Sequence, residues 1–412
     1  MSKLICKRVL KIVLISILLI VLGGCRLPST EVPLSTLLPP ALTATYVNTS
    51  GMPPSSITPE AADTKAQVLL PVVMRSGQET GLVPLVMSTP TQSPTFTPEP
   101  PAEITLLFTG VIVPARCVEA AIDEREDANY IFNEVRQQIS GADLAIGTLN
   151  ATLSDLSTHT GCIETYVLVG DSRSAVAMAN AGFDVMSVAT NHIKNCAGDS
   201  CGDNYNRAFT DTMDNLRANN ILPVGAGMNA AEALQPVVVD VKGIRFGFVS
   251  LGMVEPMAFA GENTPGIAEL TDDNLREAMS AAKRVSDVVI AMPHWGPEDL
   301  SNPNSYQLDF AQVAVEAGAD VVVGNHTHVV QAIQQIDGID VFYGLGNFVF
   351  DQTWDLGHQQ GVMLLLHFTG KEYTGYELIP THVDGDGTVH IAGQDEAAEI
   401  LTRIEDASKR LR

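Results

Sequence analysis

Residues 288–296 read VVIAMPHWG and residues 321–328 read VVVGNHTH, and these two stretches decide the fold. Each begins with aliphatic and β-branched residues, which are typical of a buried strand, and each ends in polar side chains. A third stretch, residues 185–192, has the same pattern and reads VMSVATNH. Because the carboxyl ends of parallel strands meet at one edge of a sheet, we expect these asparagine and histidine side chains to converge. Such a set is typical of a metal or phosphoryl site in an α/β protein.

Strands and helices alternate from about residue 103 onward, and the chain becomes rich in strands towards its end. Strands are predicted at residues 104–108, 144–149, 185–189, 237–241, 244–250, 288–292, 321–323, 330–336, 341–343, 348–350 and 362–368. Helices are predicted at residues 130–139, 171–181, 208–219, 271–285, 306–317 and 396–411, with Asp171 and Thr271 as N-caps. Lys242 and Gly243 are the expected turn of a hairpin. This order predicts two packed mixed sheets with helices outside them.

The first 25 residues have the features of a secretory signal. Basic residues at positions 3, 7, 8 and 11 precede an apolar run over residues 12–21. This run is shorter than a transmembrane helix, which needs about 20 residues. Residues 22–25 read LGGC and resemble the bacterial lipobox, which implies that Cys25 becomes the lipidated N-terminus. An uncleaved anchor helix is the alternative, and both readings place the chain at the extracytoplasmic face of a bacterial cell membrane, in contact with the membrane.

Residues 26–102 are dense in proline, serine and threonine. Such a segment buries too little apolar surface to offset its chain entropy, so we predict a disordered stalk. Proline-rich chain is semi-extended at about 3 Å per residue. We therefore expect the stalk to hold the folded domain, residues 103–412, clear of the bilayer.

The formal net charge is −24. A field of this sign disfavours nucleic acid and other long polyanions on any broad surface. It does not exclude an anionic ligand at a small local site.

Six cysteines are present. Cys6 leaves with the signal and Cys25 is taken by lipid, which leaves four: Cys117, Cys162, Cys196 and Cys201. An even number in an exported chain favours two disulfides, for which three pairings exist. We favour Cys117 with Cys162 and Cys196 with Cys201. Free thiols or a thiolate metal site are the competing interpretation.

Several short motifs together are specific, and the chain is similar to the CapA family of capsule-synthesis proteins over about residues 104–380. The motifs lie at residues 181–184 (AGFD), 190–192 (TNH), 225–227 (GAG), 294–298 (HWGPE), 318–328 (GADVVVGNHTH) and 342–348 (FYGLGNF). The family sits within the calcineurin-like metallophosphoesterase superfamily. The resemblance implies a four-layer αββα sandwich and a role in capsule or poly-γ-glutamate biosynthesis at the cell surface.

The resemblance also implies roles for individual residues. In metal-binding relatives, Asn191, His294, His326 and His328 would be ligands, and His192 would stabilise the reacting phosphoryl group. Arg116, which matches the arginine after the first family strand, would contact an anionic ligand. The alternatives remain open: a strand-end histidine can be a hydrogen-bonded structural residue, Asn191 can cap a turn and Arg116 can be a solvated cation. The remaining histidines match no motif.

Three positions depart from the family pattern. The first strand of the family ends in Gly-Asp, and here Val111 follows Gly110. The second ends in Asn-Leu-Glu, and here Asn150 takes the place of the glutamate. Asn195 stands three residues after His192, where the family commonly has aspartate.

The lost carboxylates limit how many ions the site can hold. Two divalent cations about 4 Å apart repel by roughly 17 kcal/mol even at an effective dielectric near 20. Carboxylates normally offset that repulsion. We therefore predict no two-metal site: either a single manganese, zinc or iron ion on Asn191, His294 and His326 with help from Asn150 or His328, or an empty site.

Two functions follow, and whether the protein is an enzyme stays open. In the favoured one, a reduced pocket in a non-catalytic pseudoenzyme binds an anionic glycan or the end of a polyglutamate chain. In the other, a mono-metal hydrolase cleaves a phosphoester or a γ-linked amide, with assistance from His192.

Overall fold

The computed structural model describes residues 101–411. The predicted signal peptide, Cys25 and the predicted stalk up to residue 100 lie outside the described residues. No helix within residues 101–411 has both the length and the apolar composition of a membrane span.

The described chain alternates strands and helices as the sequence predicts. The strands are β1 Glu103–Ile112, β2 Leu144–Leu149, β3 Thr152–Leu153, β4 Val169–Gly170, β5 Val185–Ser187, β6 Leu222–Val224, β7 Ala226–Gly227, β8 Val237–Val241, β9 Ile244–Gly252, β10 Gly266–Ile267, β11 Val288–His294, β12 Val321–Val323, β13 Ile333–Ile336, β14 Ile339–Phe342, β15 Asn347–Val349, β16 Gln360–Thr369, β17 Glu372–Val383 and β18 Val389–Ile391. The α-helices are α1 Cys117–Arg125, α2 Arg136–Gly141, α3 Ser172–Ala181, α4 Asn206–Ala218, α5 Ala230–Ala233, α6 Asp272–Val285, α7 Ser305–Glu316, α8 Leu356–Gln359 and α9 Gln394–Lys409.

Two mixed sheets form the centre of the fold. The larger has the order β18-β17-β16-β1-β2-β5-β6, with β15 also paired to β1, and the smaller has the order β13-β14-β12-β11-β9-β8. In the larger sheet β1, β2, β5 and β6 are parallel, whereas β16, β17 and β18 are antiparallel. In the smaller sheet β9, β11, β12 and β14 are parallel, and β8 and β13 are antiparallel edge strands.

Three apolar clusters show that these elements stack in four layers. One cluster joins the outer face of the larger sheet to α1, α2, α3 and α4. The second lies between the sheets, where Phe108 faces Phe248 with ring centroids 6.5 Å apart. The third joins the outer face of the smaller sheet to α6 and α7. Successive residues of a strand face opposite sides, so β1 contributes Leu107 to the first cluster and Phe108 to the second. The predicted αββα sandwich with two mixed sheets is confirmed.

Most predicted elements are present, with small shifts at their ends. Asp171 and Thr271 cap α3 and α6 through their side chains, as predicted. The helix predicted at residues 130–139 is instead a short 3₁₀ turn, Asn129–Phe132, followed by α2. The backbone leaves α-helical geometry there, and Ile131 and Phe132 are turned into the apolar cluster of the larger sheet.

Both predicted disulfides are present, Cys117 with Cys162 and Cys196 with Cys201. The first ties the start of α1 to the segment between β3 and β4. The second closes a short loop behind the carboxyl end of β5.

The two sheets are tied together by polar contacts near the carboxyl ends of their parallel strands. Ser187 Oγ lies 2.8 Å from Ser250 Oγ, across from β5 to β9. Asn325 Nδ2 donates to Thr148 Oγ1 at 2.8 Å, which joins the end of β12 to β2. A Cβ at Gly324 would lie 2.3 Å from Trp295 Nε1, so glycine is required there if the Trp295 indole is to donate to Tyr343 O. These contacts fix the strand ends that carry the predicted site.

Candidate metal centre

Three donor atoms from three strand ends lie side by side in the interior. His294 ends β11, His326 follows β12 and Asn191 follows β5. His294 Nε2 lies 3.0 Å from Asn191 Oδ1 and 3.1 Å from His326 Nδ1. The three side chains are 1%, 7% and 3% exposed for His294, Asn191 and His326. We call these three residues the buried donor set.

The buried donor set fits one cation better than it fits hydrogen bonding. Asn191 Oδ1 can only accept, and a proton on His294 Nε2 can make a linear hydrogen bond to only one of its two neighbours. One of the two contacts therefore lacks a good hydrogen bond whenever both imidazoles are neutral. A single divalent ion would use all three lone pairs, and two imidazole nitrogens with one amide oxygen suit zinc, manganese or iron.

The outer nitrogen of His294 weakens that fit. Its Nδ1 is buried and has no hydrogen-bond partner within residues 101–411. A metal-bound histidine usually donates this N–H to a carboxylate or carbonyl, and losing such a partner costs about 10- to 100-fold in metal affinity. We therefore expect any ion at this set to bind with modest affinity.

His328 presents one nitrogen to the open side of the site. Its Nδ1 lies 2.8 Å from Asn347 Oδ1, and because that oxygen only accepts, Nδ1 carries the proton. Nε2 is then the lone-pair nitrogen. The ring is 2% exposed and its centroid lies 6.1 Å from that of His326.

His192 is oriented in the same way by an amide. Its Nδ1 lies 2.8 Å from Asn195 Oδ1, which also accepts from the Leu168 amide at 2.8 Å. The Asn195 amide therefore fixes the tautomer, as an aspartate would, but supplies no charge. The backbone amide of His192 donates to Asn150 Oδ1 at 3.0 Å.

Two of the histidines have backbone conformations that are unusual for residues with a Cβ. His326 has φ of 114° and His328 has φ of 59°. Such values cost of order 1–3 kcal/mol each and persist only where the surrounding structure holds them. Here they turn both rings inward from a chain that leaves β12 after Val323.

All the predicted histidine ligands are held neutral. Burial lowers the pKa of His294 well below its usual value, and the nearby histidines lower it further. Burial lowers the pKa of His326 to about 3 and the pKa of His328 to about 4. Burial also lowers the pKa of His192. A neutral imidazole is the form that binds a metal ion, so protons do not compete for these ligands near neutral pH.

Uncharged side chains stand at the two positions where the family has a carboxylate. Val111 is fully buried in the apolar cluster of the larger sheet. Asn150 is also fully buried; its Oδ1 accepts from His192, and its Nδ2 has no partner among the described residues. Neither side chain can offset the repulsion between two cations.

One carboxylate that the sequence analysis did not assign lies near the histidines. Glu298, in the loop after β11, offers an oxygen within 4.8 Å of ligand atoms of His326 and His328. Its Oε1 is 3.9 Å from His328 Nε2, and burial raises its pKa. The HWGPE motif contained Glu298, but its spacing alone does not show that the loop turns back to the histidines. Glu298 is therefore an alternative ligand for a single ion, together with His326 and His328, on the open side of the site.

Arg116 lies beside the site but is already engaged. Its guanidinium forms a buried ion pair with Asp351, with Nε at 3.0 and 3.1 Å from the two carboxylate oxygens, and Nη1 donates to Thr165 O at 3.3 Å. The Phe350 ring lies 4.9 Å below the guanidinium carbon. Contact between Arg116 and an anionic ligand stays a prediction. Such a contact would use only the guanidinium N–H groups that do not already bind Asp351 or Thr165.

A cavity of about 550 Å³ opens beside His192 and His328. Its other lining residues come from the loop between β1 and α1, from the segment between β3 and β4, from the loop after β11 and from the segment after β15. They are Arg116, Glu164, Thr165, Tyr166, Leu168, Glu298, Asp299, Phe350, Gln352 and Trp354. His358, which matched no motif, positions Asp299 at the cavity rim, because its Nε2 lies 2.7 Å from Asp299 Oδ1.

A second group of titratable side chains lies around α1. It comprises Glu119, Asp123, His159 and Asp171. Arg173 Nη2 reaches three of these carboxylates, at 3.0 Å from Glu119. Burial raises the pKa of Glu119 to about 8. Because a guanidinium already occupies this group, we interpret it as a structural ion network.

Comparisons with known proteins agree with the motifs. The family described as "Bacterial capsule synthesis protein PGA_cap" matches residues 105–352. The PGA biosynthesis protein CapA of Bacillus subtilis (strain 168) is 29% identical over 279 residues, which cover 67% of this chain and 70% of that protein. The capsule biosynthesis protein CapA of Bacillus anthracis is 29% identical over 261 residues, which cover 61% of each chain.

A solved structure is also similar. A phosphatase from Mycoplasma pneumoniae matches with a TM-score of 0.41 and 14% identity, over 68% of this chain and 94% of that chain.

Proposed function

The chain belongs to the PGA_cap family of bacterial capsule synthesis proteins, and from this premise we propose that it acts in capsule or poly-γ-glutamate synthesis, binding an anionic ligand at a one-ion site. The ligand is an anionic glycan or the end of a polyglutamate chain. The protein holds this ligand rather than cleaving it.

The observation that carries this proposal is the lack of charge at Val111 and Asn150. With neutral imidazoles and an amide as donors, the buried donor set can hold one divalent ion but not two. Such an ion, when bound, supplies an uncompensated positive charge to which an anionic group is attracted. The two-ion arrangement that clamps both oxygens of a displacement reaction lacks the carboxylates that Val111 and Asn150 replace.

The cavity wall supports a role for an ion in anion binding. Glu164, Glu298 and Asp299 line it, and Arg116, the one lysine or arginine in its lining within residues 101–411, is paired with Asp351. Without a bound cation this wall repels an anion. Ligand binding by the protein should therefore depend on the metal.

The second candidate is a mono-metal hydrolase, and one observation favours it. His192 lines the cavity with its tautomer fixed by Asn195, so its Nε2 is available to a ligand there. Its pKa is lowered by burial, which suits a base more than an acid near neutral pH.

We also propose that the protein works outside the cytoplasm, held to the membrane by a lipid on Cys25. The two disulfides support an oxidising compartment. Labelling with a fatty acid analogue tests this: Cys25→Ala should abolish both the label and the association with membranes. Retained label in Cys25→Ala would contradict the anchor.

Ligand binding and turnover, measured on one preparation with and without Mn²⁺, separate the two functions. We expect poly-γ-glutamate oligomers to bind only with Mn²⁺, and a generic aryl phosphoester to show no turnover. Turnover that needs one ion per chain and is abolished by His294→Ala would establish the hydrolase instead.

A matched control keeps this result interpretable. His367→Ala removes a histidine on β16, away from the cavity lining, and should leave metal content and ligand binding unchanged. Loss of binding in this variant would mean that general damage, rather than the site, is being measured.

A further inference from the structure

The outer wall of the cavity carries negative charge that no neighbouring lysine or arginine neutralises. Glu164 and Glu298 have no lysine or arginine ion-pair partner within residues 101–411, and Asp299 is bound only by His358. Arg116 is 7% exposed, and its guanidinium is paired with Asp351. A polyanion alone would meet repulsion on this wall.

The same wall presents two large aromatic side chains to solvent. Tyr166 is 86% exposed and Trp354 is 58% exposed, and both line the cavity. Exposed aromatic faces beside carboxylates are a typical setting for a cationic group, because the ring face and the carboxylates attract it together.

The floor of the cavity attracts an anion only through a bound cation, because its two imidazoles carry no charge. His192 and His328 lie there, and His328, 2% exposed, has its Nε2 lone pair free of Asn347. His326 of the buried donor set lies next to His328, with ring centroids 6.1 Å apart. The acidic, aromatic wall and the two histidines therefore line one cavity of about 550 Å³, and the buried donor set does not line it.

We propose that the outer wall, formed by Glu164, Tyr166, Asp299 and Trp354, binds a primary ammonium group. The ligand is then zwitterionic, with a carboxylate at the floor and an amino group at the rim. The free amino end of a γ-linked glutamate chain has this chemistry, since its first residue keeps a free amine and each following residue keeps an α-carboxylate. The carboxylate half of this inference rests on the proposed function, and the ammonium half stands on the wall alone.

Three forms of one probe separate the two halves. They are the γ-glutamyl-glutamate dipeptide with a free amine, the same dipeptide N-acetylated, and a free-amine form whose carboxylates are amidated. Calorimetric titration of the full chain with Mn²⁺ should give the free-amine dipeptide about tenfold or greater advantage over the N-acetylated form. Equal affinity of these two forms would overturn the ammonium site while leaving the anion site intact.

Variants assign the effect to the wall. Glu164→Gln and Trp354→Ala should each weaken the free-amine dipeptide by about three- to fivefold and leave the N-acetylated form unchanged. Both residues are exposed or at the rim, so folding should be retained. Glu377→Gln on β17 and Tyr306→Ala on α7, exposed residues outside the cavity lining, are the matched controls. A wall variant that weakens both dipeptide forms equally would overturn the assignment.

The amidated form separates this inference from the proposed function. If it binds as well as the free dipeptide and without Mn²⁺, the ammonium site is supported and the anion site fails. If none of the three forms binds, both fail. A neutral sugar that binds better than the free-amine dipeptide would also overturn the inference, because sugar stacking needs the aromatic rings but not the carboxylate charge.

Discussion

His326 Nδ1 lies 3.1 Å from His294 Nε2, although the two residues are 32 positions apart and end different strands. Neither ring is charged at neutral pH, because burial holds both pKa values down. Two ring nitrogens and the Asn191 oxygen thus face each other in the buried interior. The chemistry of the site depends on whether a metal ion or a proton lies between these three atoms.

The first prediction concerns which donors hold the ion. Asn191→Ala should lower the affinity for Mn²⁺ by about tenfold or more, because it removes one of three direct donors. Glu298→Gln should lower it by less than about threefold, since a partly exposed carboxylate at a distance contributes little. Isothermal titration calorimetry of both variants with Mn²⁺ measures these affinities. A larger loss of Mn²⁺ affinity in Glu298→Gln than in Asn191→Ala would place the ion beside Glu298 and His328 instead.

The second prediction concerns the missing charge beside His192. Asn195→Asp keeps the oxygen that accepts from His192 Nδ1 and adds a negative charge to it. We expect the pKa of His192 to rise, because an adjacent carboxylate favours the imidazolium. Titration of the His192 ring followed by NMR measures the change, with Asn195→Ser as the uncharged comparison. A pKa equal to that of the wild type would mean that the two side chains are not in contact in solution.

The third prediction is acid sensitivity of the metal-free protein. His326 and His328 have native pKa values of about 3 and about 4, whereas both would titrate near 6.5 when unfolded. Only the unfolded chain takes up their protons as the pH falls from 6.5 to 4. The free energy of unfolding should therefore fall through that window, by about 1.4 kcal/mol per pH unit for each histidine.

Denaturant unfolding between pH 4 and 7 measures the free energy of unfolding of the wild-type protein and of His328→Gln. Glu119, with its pKa raised to about 8, contributes the opposite slope in both proteins, so the difference between them isolates His328. The variant should lose stability less steeply towards low pH. Parallel curves for the two proteins would show that His328 is not buried in its neutral form.

The fourth prediction restores the absent carboxylates. Val111→Asp with Asn150→Glu should raise metal occupancy towards two ions per chain. Without metal the double variant should be several kcal/mol less stable, because two buried carboxylates lack partners. Added Mn²⁺ should recover much of the thermal stability. Unchanged occupancy would refute the assignment of these positions to the site, and Val111→Leu with Asn150→Gln is the uncharged control.

The sequence was sufficient for the fold because the strands carry their own pattern. The aliphatic runs before His294 and His326 are buried strands, and the caps at Asp171 and Thr271 lie where their side chains require. The exception at residues 130–139 shows the limit of helical periodicity. That segment is apolar at helical spacing, yet packing of Phe132 against Phe183 and Phe348 holds it in a shorter turn.

The strand ends predicted which histidines meet, but not the residues that loops bring to them. Glu298 and Asp299 lie in a loop after β11, and Asp299 has φ of 66°, a turn that no spacing rule predicts. Tyr166 reaches the cavity because the segment between β3 and β4 is tied down by Cys117–Cys162. The ion pair of Arg116 with Asp351 joins residues 235 positions apart, and such pairs have no local signature.

The number of metal ions per chain tests the central claim most directly. Protein purified without chelator and saturated with Mn²⁺ would be measured by elemental mass spectrometry against protein concentration. We predict one ion per chain, held by the three neutral side chains of the buried donor set. Two ions per chain in the wild-type protein, or none at saturating Mn²⁺, would contradict the account.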